Sequence, residues 1–367
     1  RLSTIYPGEP PLAGQPLLRL LRDLNNSELE PEITTGVEFG TELEFFQNRA
    51  SLDVTYYRDV TENQILPLTV SPASGYESAL VNAGSILNKG WEVQLGGTPV
   101  LTDDFQWDLS VNWSKNEGEI QELREGTDTY VIGDGSFGPD VVAQVGQQYG
   151  AIYGTALVRN DAGEIVYTGS GVPRATQNNQ VIGNYQPDWT GGVSTRLSYK
   201  GLSLSALFEG QKGGDIWSLS NTFGVYSGLL EETVSGAQRE TGVIPDGVVQ
   251  NEDGSYTDFG EAVGPISSAA FWKNNFFGPR SEIFLYDATY IKLQEVVISY
   301  TLPQKWFANT PVERLNVSAT GRNLAILYKK APNIDPSLTL SAGNFQGYEA
   351  GQIPPQRQIG FRVNLQF

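Results

Sequence analysis

The last ten residues, QIGFRVNLQF, alternate without a break between two kinds of side chain. Ile359, Phe361, Val363, Leu365 and Phe367 share one parity, and Gln358, Gly360, Arg362, Asn364 and Gln366 share the other. An extended chain places the two sets on opposite faces. A dyad of this length running to a terminal aromatic suits a strand that crosses a bilayer at a tilt.

The pattern recurs in pairs joined by short turns. Val37, Phe39, Thr41, Leu43 and Phe45 alternate with Glu38, Gly40, Glu42 and Glu44; after a turn at 46–49, Leu52, Val54 and Tyr56 alternate with Asp53, Thr55 and Tyr57. Trp91, Val93 and Leu95 lead through Asp103-Asp104 into Phe105, Trp107, Leu109, Val111 and Trp113. Val193, Thr195, Leu197 and Tyr199 turn at Lys200-Gly201 into Leu202, Leu204, Ala206 and Phe208. A strand over 285–301 changes phase between Leu293 and Val296, which predicts a β-bulge at Gln294-Glu295. Its partner runs over 313–326. With the tail this makes about nine strands, or eleven if 150–158 and 164–168 form a hairpin across Asp161-Ala162-Gly163.

Long connections over roughly 61–87, 117–150, 214–284 and 327–357 alternate with the short turns. Outer-membrane barrels have this arrangement, with short turns in the periplasm and long loops outside. The apolar parity is then expected to face lipid. The other face would line a polar lumen with Glu38, Glu42, Glu44, Asp53, Glu92, Asp108, Arg196, Glu209, Lys292, Arg322 and Arg362. A soluble glycan-binding β-sandwich shows the same alternation and is the alternative. The stretch PPLAGQPLLRLLRDL near the start reads as loop with a short apolar helix.

Composition narrows the chemistry. The 367 residues contain no cysteine and no histidine, which removes disulfides, thiol catalysis, imidazole bases and the commonest zinc ligands. A net charge of −18 disfavours nucleic acid as a partner. No run of about 18 apolar residues is present, so no helical span is expected. The chain begins at Arg1 and has no methionine, so it reads as part of a longer product. Asn251-Glu252-Asp253-Gly254 has its glycine too early for a calcium loop and reads as a turn. Paired loop acids such as Glu231-Glu232 read as solvated, and neither catalysis nor a cofactor is expected.

The 214–284 loop carries Trp217, Tyr226, Trp272, Phe276 and Phe277 among its aromatics. Either the loop buries its own small core, or some of these rings stack on a ligand or seat a partner.

Several stretches together resemble a known family: ELEPEITTGVEFG from Glu28, NAGSILNKGWEV from Asn82, PDWTGGVSTRLSYKGLSLS, YDATYIKLQEVVISYTLP, TGRNLAIL and PPQRQIGFRVNLQF. They resemble, in order and spacing, the carboxy-terminal half of SusC/RagA-type TonB-dependent outer-membrane transporters of Bacteroidetes. Gln294 departs from the family, which usually has arginine there. The resemblance implies an all-β fold, a transmembrane antiparallel barrel of the 22-stranded plugged class, of which this chain supplies about half. It divides the chain into an extracellular loop segment, 1–32, and barrel wall, 33–367, with the plug domain and first strands absent. It implies import of an oligosaccharide or peptide, a SusD-like lipoprotein lid, and a TonB complex that acts through the missing amino-terminal part. A structural subunit of a larger outer-membrane assembly is a further alternative. Phe361, Val363, Leu365 and Phe367 would then belong to the strand that closes the barrel, and this chain should not close alone.

Overall fold

The computed structural model describes residues 8–12, 15–18, 23–24, 26–69, 73, 76, 78–82, 84–124, 126–135, 137–277, 280–343 and 345–367. Its main element is a sheet of nine strands that meanders in chain order. These are β1 (Ile33–Phe45), β2 (Ala50–Glu62), β3 (Gly84–Leu101), β4 (Phe105–Leu123), β5 (Trp189–Tyr199), β6 (Leu202–Lys212), β7 (Tyr290–Thr301), β8 (Arg314–Lys329) and β9 (Gln358–Gln366). Each pairs antiparallel with its neighbours, and β1 and β9 are unclosed edges of the sheet.

Register carries the alternation across the wall. Leu43, Leu52, Leu95, Val111, Val193, Phe208 and Leu293 stand opposite one another in a single apolar row. On the other face Glu42, Asp53, Gln94 and Asn112 form the matching polar row. At the bulge, Leu207 pairs with Glu295 but Phe208 pairs with Leu293, so Gln294 is the extra residue. Ile298 and Tyr300 are thereby returned to the apolar face. Lys200 and Gly201, with φ of 44° and 87°, make the tight β5–β6 turn, as a two-residue hairpin of primed type requires.

Burial is inverted relative to a water-soluble sheet. Ile298 on the apolar face is 51% exposed, whereas Ser203 and Lys292 on the polar face are 9% and 3% exposed. Large apolar side chains such as Phe39, Leu43, Ile298 and Phe361 are exposed on the apolar face, while the buried wall side chains Ser203 and Lys292 lie on the polar one. A water-soluble sandwich would have to bury that apolar face against a second sheet, so the sandwich alternative does not describe this chain.

The apolar parity also changes character at one level. Phe39, Tyr56 and Trp91 form an aromatic row, with the Tyr56 and Trp91 rings 4.9 Å apart. In the next row toward the long loops stand Val37, Arg58, Lys89 and Glu117, with Lys89 and Lys115 both ion-paired to Glu117 at 3.3 and 2.7 Å. On β4 the apolar stretch from Phe105 to Trp113 covers about 26 Å along the strand, or about 20 Å of membrane height at a tilt of about 40°. That approaches the height of a barrel's apolar band, and the charged row marks where the wall leaves lipid.

Several expectations are corrected. β3 and β4 reach 18 and 19 residues, because pairing continues above the band, so the first long connection shrinks to 63–83; the second starts later, at 124, but runs on to 188 because 150–168 does not join the wall. The 285–301 strand is two pieces, since Leu285–Asp287 pairs within the loops and only Tyr290–Thr301 joins the wall. A turn does form at 160–164, with Val166 N donating to Val158 O at 2.9 Å. It belongs to the loops, however, and Ala151–Gly154 pairs with Asp140–Gln144 rather than with the wall. Where the stretch with the expected short helix is described, it is extended: Gly8–Leu12 pairs antiparallel with Gln15–Leu18, and Asp23–Leu24 is strand. Pro10, Pro11 and Pro16 disfavour a helix there; residues 1–7 and 19–22 lie outside the described ones.

Candidate functional site

The connections 124–188, 213–289 and 330–357 fold together into one body around Val141, Ile152, Tyr185, Trp217, Val225, Phe284 and Tyr348. Backbone pairing stitches it. Asp215–Ser218 runs antiparallel to Leu285–Asp287 and parallel to Tyr348–Glu349, so one short strand joins two separate connections.

The buried carboxylate of Glu349 fastens this seam. It accepts from Ser218 Oγ at 2.6 Å, Ser220 Oγ at 2.7 Å, Ser220 N at 3.1 Å and Gly351 N at 2.7 Å. Ser218 caps helix α1 (Leu219–Tyr226) by accepting from Asn221 N at 3.0 Å. The carboxylate therefore sits where orphan amides and the helix dipole both favour negative charge.

A second tie runs to the wall. Lys292 Nζ, on the polar face of β7, donates to Asp335 Oδ2 at 3.0 Å and Ser337 Oγ at 2.9 Å. Between β8 and the 330–357 connection lies a cleft of about 320 Å³ whose polar lining includes Asn323, Lys329, Asp335, Glu349, Gln352 and Arg357. Arg159 and Glu282, paired at 2.6 Å, link the 124–188 and 213–289 connections.

Asp215 is held against this body with its carboxyl pushed above the ordinary range, chiefly by burial and further by Asp287 and Asp188, with the Asn184 N–H opposing. Because the folded form holds its proton more tightly than the unfolded one, stability rises as pH falls through the folded value and levels off below the unfolded one. Asp215→Asn is expected to raise amide protection of 215–218 at neutral pH. The gain should vanish in acid, as hydrogen exchange corrected for its intrinsic pH dependence will show.

The five candidate aromatics are not brought together as one surface. Trp217 is 1% exposed, with its ring 5.2 Å from Tyr348; it belongs to the core, and a ligand arriving from solvent does not reach it in this conformation. Tyr226, at the end of α1, is 38% exposed. Trp272 is half-buried, donates from Nε1 to Gln238 Oε1 at 3.1 Å and packs edge-on to Phe271. The side chains of Phe276 and Phe277 lie outside the described ones. Asn251–Gly254 forms a turn, with Gly254 N bonded to Asn251 O and Asp253 accepting from Ser255. Glu349 and Asp335 escaped the sequence reading, because isolated acids in long loops carry no periodic signal. Ser218, just before Leu219–Tyr226, was a visible cap signal for α1.

The model of the TonB dependent receptor-like β-barrel matches residues 14–324. The chain belongs to that family. Members are outer-membrane proteins, so the bare apolar face of this barrel wall is turned to the outer-membrane lipid. The family is one of receptors and transporters rather than enzymes. Among relatives, TonB-dependent receptor P3 of Formosa agariphila is 24% identical over 384 residues, covering 95% of this chain and 35% of that protein. TonB-dependent receptor SusC of Bacteroides thetaiotaomicron is 22% identical over 357 residues, covering 93% and 32%. The RagAB peptide importer in its open-open state superposes on the whole chain with a TM-score of 0.70 at 21% identity, and 38% of that chain is covered. The barrel piece thus spans about a third of the relatives it matches.

Proposed function

We propose that the protein containing this wall imports an oligosaccharide or peptide across the outer membrane, energised by TonB through its amino-terminal part and lidded by a SusD-like lipoprotein. The carrying observation is the inverted wall, apolar outside and polar inside, crowned by a body of long loops tied to it through Lys292 and Asp335. A lumen wide enough for such solutes needs a plug and an energy source, which the outer membrane lacks. The named relatives SusC and RagAB, the latter a peptide importer, support this reading.

The test is uptake by cells carrying the full-length protein, with labelled oligosaccharides and peptides offered separately. Uptake of one class, abolished when TonB is inactivated, is expected. Wild-type uptake of neither, together with stable co-purification in a larger outer-membrane complex, would favour a structural subunit. Among the described side chains of the aromatic set Tyr226 is the exposed one, and Tyr226→Ala is expected to weaken lid association or substrate binding by several-fold, about 1–2 kcal/mol, without altering heat-modifiable migration. Unchanged lid capture and unchanged binding would remove Tyr226 from the contact surface.

A further inference from the structure

A groove on the lipid face near the short turns stands apart from the loop body. One row of that face reads Phe45, Ala50, Gly97, Leu109 across β1 to β4. Two small residues between larger ones leave a trough, and Leu95 lies beside it in the row above. Its lower end is closed by Thr98-Pro99, where the β3–β4 register slips between Gly97 and Val100. The resulting groove measures about 420 Å³ and is lined by Phe46, Ala50, Leu95, Gly97, Pro99 and Leu109, with Arg49 at its rim.

Arg49 is fixed in place rather than free to sweep. One terminal nitrogen donates to Thr98 O at 3.0 Å and Pro99 O at 3.2 Å, and Thr98 N returns a bond to Arg49 O at 2.8 Å. Among the described residues no carboxylate pairs with it, whereas Lys200 in the β5–β6 turn is paired to Asp104 of the β3–β4 turn at 3.1 Å. The result is an apolar trough, continuous with the surface that already meets hydrocarbon, with an unneutralised and preoriented guanidinium at the level of the turns.

We propose that this groove holds a phospholipid of the periplasmic leaflet, one acyl chain lying along Ala50 and Gly97 and the phosphate on Arg49. Guanidinium recognises phosphate oxygens through paired N–H donors, and the short turns put Arg49 at the periplasmic headgroup level. The floor strands β2, β3 and β4 all have both neighbours present in this chain, so the groove does not depend on wall supplied from elsewhere. The proposal rests on the membrane placement above, not on which solute is carried.

The test uses the full-length protein, reconstituted with phosphatidylethanolamine and phosphatidylglycerol, extracted into mild detergent and weighed by native mass spectrometry. One retained phospholipid per wild-type molecule is expected. Ala50→Leu, which fills the trough, and Arg49→Gln, which removes the charge, should each lower the retained fraction by about tenfold, while Arg49→Lys, which keeps the charge but not the paired donors, falls between wild type and Arg49→Gln. A phospholipid carrying a photoreactive acyl chain should label 95–99, which keeps the test decisive if Ala50→Leu assembles poorly. Equal retention by wild type and Arg49→Gln, no retention by wild type, or retention of lipopolysaccharide instead would each overturn the assignment. Heat-modifiable migration, scored in parallel, reports the barrel itself, so a failure of the lipid site is separable from a failure of the fold.

Discussion

Ile298→Arg should destabilise the full-length barrel by roughly 1–3 kcal/mol in bilayers, the cost of a cation on the lipid face between mid-membrane and the short turns. Its neighbour Val297→Arg should cost below about 1 kcal/mol, because that side chain points to the polar side. The two residues are adjacent, and both lie in the same strand, β7. The contrast therefore isolates which face meets lipid from anything peculiar to the strand. Ile298 stands opposite Leu204 and Ala319 in the apolar row, while Val297 stands opposite Ser205 and Thr320. Urea titration of folding into phospholipid vesicles measures both. Equal costs would mean that the exposed apolar face does not meet hydrocarbon, since water accepts an arginine at a half-exposed site without penalty.

Asp335→Ala is the second large effect. Side chains of Lys292 and Asp335 are only 4% and 9% exposed, so the substitution strands an ammonium in a covered site, at a cost of about 3–5 kcal/mol. The expected consequence is local: the 330–357 connection lifts from the wall and its amides lose hydrogen-exchange protection while the strands keep theirs. Replacing both partners, Lys292→Met with Asp335→Leu, should recover most of the loss, because an apolar pair of similar volume leaves no charge unpaired. If the single and double variants exchange alike, the ion pair does not hold that connection to the wall.

The wall was legible because its rule is local. Each strand declares its faces by parity, and even the phase change at Gln294 was readable from Leu293 and Val296 alone. Strand ends were less legible, since β3 and β4 continue as paired polar ribbon above the lipid band, where alternation between lipid and lumen no longer constrains the side chains. The loop body was least legible. Its seam joins Ser218 to Glu349, 131 positions apart, and Lys292 to Asp335, 43 apart. Contacts of that separation leave no mark in a periodicity. Trp217 shows the same limit: an aromatic in a long loop looks identical in sequence whether it is core or contact surface, and only its packing against Tyr348 distinguishes them.

The bulge at Gln294 makes the wall behave like text read two letters at a time. Deleting that one extra residue would restore plain alternation from Leu293 onward: Val296, Ile298 and Tyr300 would still face lipid, and Glu295 would stay on the side of the Arg322 it pairs with at 2.6 Å. A single loss at a regular position is instead a frameshift, turning every later side chain of the strand to the other face unless a second, compensating change restores the phase before the turn. Length variation in such proteins is therefore expected to collect in the loops, where nothing keeps count, and within the lipid band to come only in twos or at a bulge.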